Sequence, residues 1–229
     1  MGEKKRKEAA TKNWKKIVAI VAGVLFVVLM VVSSMGSSWI SSFAVAKPGD
    51  SLTLDYTLYD SSGSPIVTTD QQIFKNAAAK GGAMIYSKQL SVIANQSYTD
   101  SVYPVDVYTI GNGWGNQFAF FPNEYTAISS GIVGMKTNEQ KTIRLPADSS
   151  MTQLWTTDQL LRNNVNLSNI RVGDVLAMGV SNNPLEEKSN TTALNFRVAE
   201  ITGKTDSGAT VDFGYPRIDV KVAAINTKH

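Results

Sequence analysis

The chain has 229 residues with 22 Lys/Arg against 19 Asp/Glu, no cysteine, and one histidine, the terminal His229. Disulfides, thiolate metal sites and thiol nucleophiles are thereby excluded, as are Ser-His-Asp and His-based metal chemistry. A 43% hydrophobic content is enough for one good core or two small ones, and no cofactor is expected.

The positive charge sits at the start. Seven of the Lys/Arg and two of the Asp/Glu fall within residues 1–16, so the rest of the chain is slightly acidic. Nothing in that remainder resembles a face built for nucleic acid, and no nucleic-acid partner is expected. Residues 17–32 read IVAIVAGVLFVVLMVV, without charge or proline. With the flanking small residues to 40 the run is long enough to cross a ~30 Å hydrocarbon core. The sequence therefore predicts a basic cytoplasmic tail (1–16), an uncleaved transmembrane anchor (17–40) and a tether (41–46), with Trp39 at the interface. This makes the chain single-pass in the cell membrane, its C-terminal part outside the cytoplasm. A signal peptide cut after Ala44-Val45-Ala46 is the weaker reading, because that site lies far beyond the apolar run.

Pro48-Gly49-Asp50 opens an alternating segment over 51–59, with Leu52, Leu54, Tyr56 and Leu58 on one face. Residues 68–104 hold a possible helix from Gln71 to Lys80 and an apolar stretch from Met84 to Ile93. Their simplest role is extra cover for the sheet. A strand follows at 105–110, and Gly111-Asn-Gly113-Trp114-Gly115 reads as a turn, since no phosphate-loop Lys-Ser/Thr follows it. In Gly131-Ile-Val-Gly134-Met135-Lys-Thr-Asn-Glu139-Gln-Lys141-Thr-Ile143-Arg-Leu145-Pro146, a short helix stops at Gly134. A polar turn and a strand closed by proline follow. Beyond it, Met151, Leu154, Trp155, Leu160 and Leu161 suggest short amphipathic turns. Strand-like pieces then come at 172–180, 193–201, 210–213 and 218–225.

Together, PGDSLTLDYTLYDSSG and GIVGMKTNEQKTIRLP resemble the opening strand and helix-turn-strand of FKBP-type peptidyl-prolyl isomerases. LLRNNVNLSNIRVGDVLAMGV followed by FRVAEITGKTDSGATVDFGYP resembles the insert-in-flap chaperone domain of the SlyD-like members. The resemblance implies an α+β fold: after the transmembrane helix, an FKBP-like antiparallel sheet with a short helix (47–146 plus 214–227). A small β-rich inserted domain would occupy 147–213, and the strand at 218–225 would return to the first sheet.

Carried over position by position, the family's proline pocket falls on Tyr56, Ile66, Val67, Tyr125, Ile128 and Ile218, with Phe121 among the aromatic residues that could refill its floor. Tyr56 matches the family's aromatic wall. Val67 stands where the family has an Asp that polarises the site, and Ser150 where it has a tyrosine. Ile66, Ile128 and Ile218 replace aromatic residues. Prolyl isomerisation needs an apolar pocket that favours the twisted amide, with no nucleophile or metal. The expectation is a membrane-anchored isomerase and chaperone acting on unfolded or proline-containing clients. The alternative is a non-catalytic extracellular binding or envelope-structural module on the same scaffold.

Overall fold

A computed structural model describes residues 18, 20–31, 33, 44–80, 84–109, 113–146, 151–180 and 195–226. The chain forms two compact units, Met1–Phe43 and Ala44–His229. In the first, the described residues between 18 and 33 are helical. The expected transmembrane anchor is not found: no helix among the described residues is long and apolar enough to cross a membrane. The fourteen residues described as helical account for only ~21 Å at ~1.5 Å per residue, short of a ~30 Å hydrocarbon core. The single-pass placement built on that anchor falls with it. The basic cluster and Trp39 lie outside the described residues.

The second unit is a curled half-barrel made by one sheet of twelve strands. β1 (Ser51–Tyr59) buries Leu52, Leu54, Tyr56 and Leu58 and leaves Ser51, Thr53, Asp55 and Tyr59 partly exposed, as period-two alternation requires, while Thr57 is buried against Thr68. Along one edge β1 pairs antiparallel with β12 (Arg217–Asn226), from Ser51↔Asn226 to Tyr59↔Arg217. β12 in turn pairs with β7 (Gln140–Arg144). Along its other edge β1 meets β4 (Leu90–Ile93) and β2 (Pro65–Thr68). β2 leads through β3 (Ile85–Ser87) and β5 (Tyr103–Thr109) to β6 (Gly113–Phe120).

The sheet does not stop there. β10 (Asn195–Thr205) pairs in parallel with β6 at Asn195↔Gln117 and Phe196↔Phe118. It also pairs antiparallel with β9 (Val175–Val180) and β11 (Gly208–Asp212), and β8 (Thr152–Thr156) closes the edge beyond β11. The sequence predicts a separate antiparallel sheet and a small inserted β domain; the structure instead has one continuous, mixed sheet. Its eleven-residue β10 is long enough to serve both ends.

Among the described residues, three short α-helices and a 3-10 turn at Leu167–Asn169 complete the unit. Asp70 caps α1 (Gln71–Ala79), accepting from the Gln72 and Ile73 N–H groups at 2.7 and 3.1 Å. α2 (Pro122–Gly131) starts with proline where a missing N–H costs nothing, and the chain leaves it through Gly134 at φ +82°. α3 (Thr157–Arg162) follows β8 directly, so the amphipathic turns expected from Met151 onward are half strand. Backbone pairing to β11 overrides the local helical pattern there.

Two groups of buried side chains hold the unit together. The larger is built on β1, β2, β5, β6, α2 and β12, and includes Leu54, Phe118, Phe120, Ile132 and Val222. The smaller gathers Met151, Leu160, Met178, Ile201, Val211 and Phe213.

Candidate functional site

β1 and β2 bring Tyr56, Ile66 and Val67 together, α2 adds Tyr125 and Ile128, and β12 adds Ile218. All six lie in the larger core, with exposures between 0% and 7%. Tyr56 meets Phe120 edge-on at 5.6 Å, and Phe120 meets Tyr125 at 6.0 Å. Phe121 is half-buried and packs against the smaller core instead. Ser150 lies outside the described residues.

These side chains pack against one another in the core, and of the six only Tyr56 also borders the 460 Å³ cleft described below. Ser87 Oγ bonds the Tyr56 hydroxyl at 2.6 Å and the Lys88 carbonyl at 2.9 Å, so the group is already committed. Burial pushes the Tyr56 hydroxyl well above its ordinary pKa, and the bond to Ser87 offsets only part of that. Beside Ile66 there is a slit of about 10 Å³, bordered by Val198, Gly214 and Tyr215. That is room for about one water, not a pyrrolidine ring.

A buried ion pair stands beside this region, and sequence reasoning missed it. Arg197 and Glu124 are both fully buried. Arg197 Nη1 donates to Glu124 Oε2 at 2.9 Å and to the Ala119 carbonyl at 2.8 Å; its Nε donates to the Phe213 carbonyl at 2.7 Å. Phe121 and Tyr215 rings lie 4.3 and 4.4 Å from the guanidinium carbon. Glu124 Oε2 also accepts from the Phe121 N–H at 2.9 Å, which satisfies a free donor at the start of α2. Tyr215 donates to the Val198 carbonyl at 2.6 Å; burial raises its pKa, against a smaller lowering from Arg197. Glu124, three residues into a helix opened by Phe121-Pro122, could have been marked from sequence as a helix-start carboxylate. Nothing in the sequence around Arg197 points to its partner.

The open surface is on the opposite face of β1. A cleft of about 460 Å³ runs past Asp55, Tyr59, Asp70, Ile73, Lys141 and Asp219. A second, of about 510 Å³, is bordered by Thr53, Asp55, Thr69, Tyr86, Gln89 and Trp114. Lys88 bonds Asp106 at 2.6 Å and lies 5.6 Å from the Trp114 ring centre. Hydrogen bonds from Lys88 and Gln117, more than charge alone, hold the Asp106 carboxyl below its usual range. Among the described residues no group of His, Cys, Asp and Glu could hold a metal ion.

In the smaller-core region, Leu154, Leu161, Val172 and Val175 stay 42–68% exposed.

No protein-family model matches the chain, and no curated protein matches it significantly.

Proposed function

We propose that this protein is a folding factor that holds unfolded polypeptide, with the space expected for a proline pocket filled by core side chains. The observation that carries this reading is the exposure of Leu154, Leu161, Val172 and Val175 around a core of their own. Isolated surface aliphatics are ordinary, but four on one 22-residue stretch that also shapes a core offer apolar area to an unfolded chain.

Closure of the pocket separates holding from turnover. Catalysis requires binding that favours the twisted amide over the ground state, and this needs a cavity into which the ring can enter. Tyr56, Ile128 and Ile218 occupy that space, and the Arg197–Glu124 pair stiffens its border.

Light scattering of a denatured client protein diluted into buffer tests the reading, alongside a protease-coupled X-Pro assay on the same preparation. The full chain is expected to suppress aggregation near stoichiometric amounts and to leave the X-Pro rate at its uncatalysed value. Absence of suppression would remove the holding function; accelerated isomerisation would restore the isomerase.

A further inference from the structure

We propose that the cleft on the outer face of β1 is a binding site for a neutral oligosaccharide. The site is separate from the exposed aliphatics of 154–175, and its test is independent of the folding-factor reading.

The two openings share Asp55 and Thr69, so they adjoin along β1, and the furrow proposed here spans both. It follows the outward residues of β1 from Thr53 to Tyr59, ~20 Å at ~3.4 Å per residue, which suits an extended chain of several sugar rings. At one end stands an aromatic platform. Trp114 is 45% exposed, with Tyr86 at 5.7 Å and Tyr108 at 5.8 Å between ring centres. Phe74 of α1 backs Tyr86 at 5.5 Å, so these rings are held in place before any ligand arrives. An exposed indole held in this way is a surface on which the C–H face of a pyranose stacks, with the Lys88 ammonium 5.6 Å from the ring centre beside it.

The rest of the lining is polar in the way hydroxyl groups require. Gln89 Nε2 donates to Asp55 Oδ1 at 2.8 Å, fixing an amide and a carboxylate side by side at the floor. Planar groups of this kind offer adjacent donor and acceptor atoms, which match the vicinal hydroxyls of a sugar. Three carboxylates (Asp55, Asp70, Asp219) are balanced by three ammonium groups (Lys88, Lys141, Lys221), so the furrow favours no net charge.

A peptide fits it less well. β1 is paired with β12 along its length, and the Tyr56 N–H goes to Thr69 Oγ1 at 2.9 Å, so β1 itself offers no free edge for strand addition. Ile73, Leu90 and Val220 are the aliphatic residues of the lining, and Leu90 and Val220 are buried, which leaves little to make sockets for an extended polypeptide.

Titration calorimetry on the full chain tests this with three neutral hexasaccharides, a β-1,4-glucan, a β-1,4-linked N-acetylglucosamine polymer and an α-mannan, plus a decaproline peptide. At least one hexasaccharide is expected to bind saturably. Trp114→Ala should weaken it ~10-fold, the usual effect of truncating an aromatic anchor, and Trp114→Phe should recover most of the loss. Gln89→Ala should weaken binding with the thermal transition unchanged, because the side chain is exposed. No binding of any hexasaccharide up to roughly 5 mM would overturn the proposal. Binding indifferent to Trp114→Ala, or decaproline bound in place of the sugars, would overturn it too.

Discussion

Arg197 and Glu124, 73 residues apart in sequence, meet with both side chains fully buried. The guanidinium also bonds carbonyls of Ala119 and Phe213, and so ties the end of β6 and the start of α2 to the strands of the smaller core. A buried pair of this kind contributes little when intact, because desolvation offsets the attraction, but much is lost when one partner is removed.

Glu124→Leu or Arg197→Met is therefore expected to cost about 3–5 kcal/mol, from the stranded partner. The double variant Arg197→Met/Glu124→Leu should recover much of that loss. Urea unfolding of the three variants measures the coupling. Additive losses would mean that the two side chains act independently.

Val67→Asp tests whether the space expected from sequence to be a proline pocket is filled core. Val67 is 0% exposed, and the substitution places a carboxylate in dry core. The expected outcome is a loss of about 3 kcal/mol or more, with no gain in X-Pro turnover. Thermal melts and the isomerase assay on the same sample check both parts.

Leu154→Ser combined with Leu161→Ser should weaken suppression of client aggregation while shifting stability by less than about 1 kcal/mol, since both side chains are mostly exposed. Scattering and denaturation curves compared side by side distinguish a binding surface from ordinary surface aliphatics.

The buried tyrosines predict an alkaline limit. Burial raises the hydroxyl pKa of Tyr56, Tyr125 and Tyr215 above the ordinary value. A folded-state pKa above the unfolded one contributes stability in full below the unfolded value, near ~10, and loses it as pH rises through the folded value. Stability is thus expected to change little on their account between about pH 7 and 9 and to fall beyond about pH 10. Tyr56→Phe should make the fall shallower, read from urea midpoints across that range.

Gly208→Ala tests the outer edge of the sheet. A Cβ there would lie 2.2 Å from the Trp155 carbonyl oxygen, a backbone atom that cannot turn aside. The expected cost is about 1–3 kcal/mol. Hydrogen exchange should show the loss concentrated in Thr152–Thr156, which β11 alone pairs through Thr156↔Gly208.

What the sequence by itself determined was local. The alternation over Ser51–Tyr59 marks β1 and its buried face, Gly134 marks the end of α2, and alternating Ile218, Val220 and Val222 mark β12. Each is a periodicity or a backbone requirement that nearby residues satisfy. The same alternation names Tyr56 and Ile218 as apolar-facing but leaves open whether they line a cavity or fill one. That depends on what arrives from elsewhere: Ser87 on the Tyr56 hydroxyl, and Arg197 and Tyr215 at the border. Continuity of the sheet is also tertiary, because the parallel contact of Asn195 and Phe196 with Gln117 and Phe118 leaves no mark on either segment. The furrow joining Asp55 to Trp114 exists only once β1, β3 and β6 share that sheet. Burial and partnership across 70 or more residues are properties of the assembled core, and no local period encodes them.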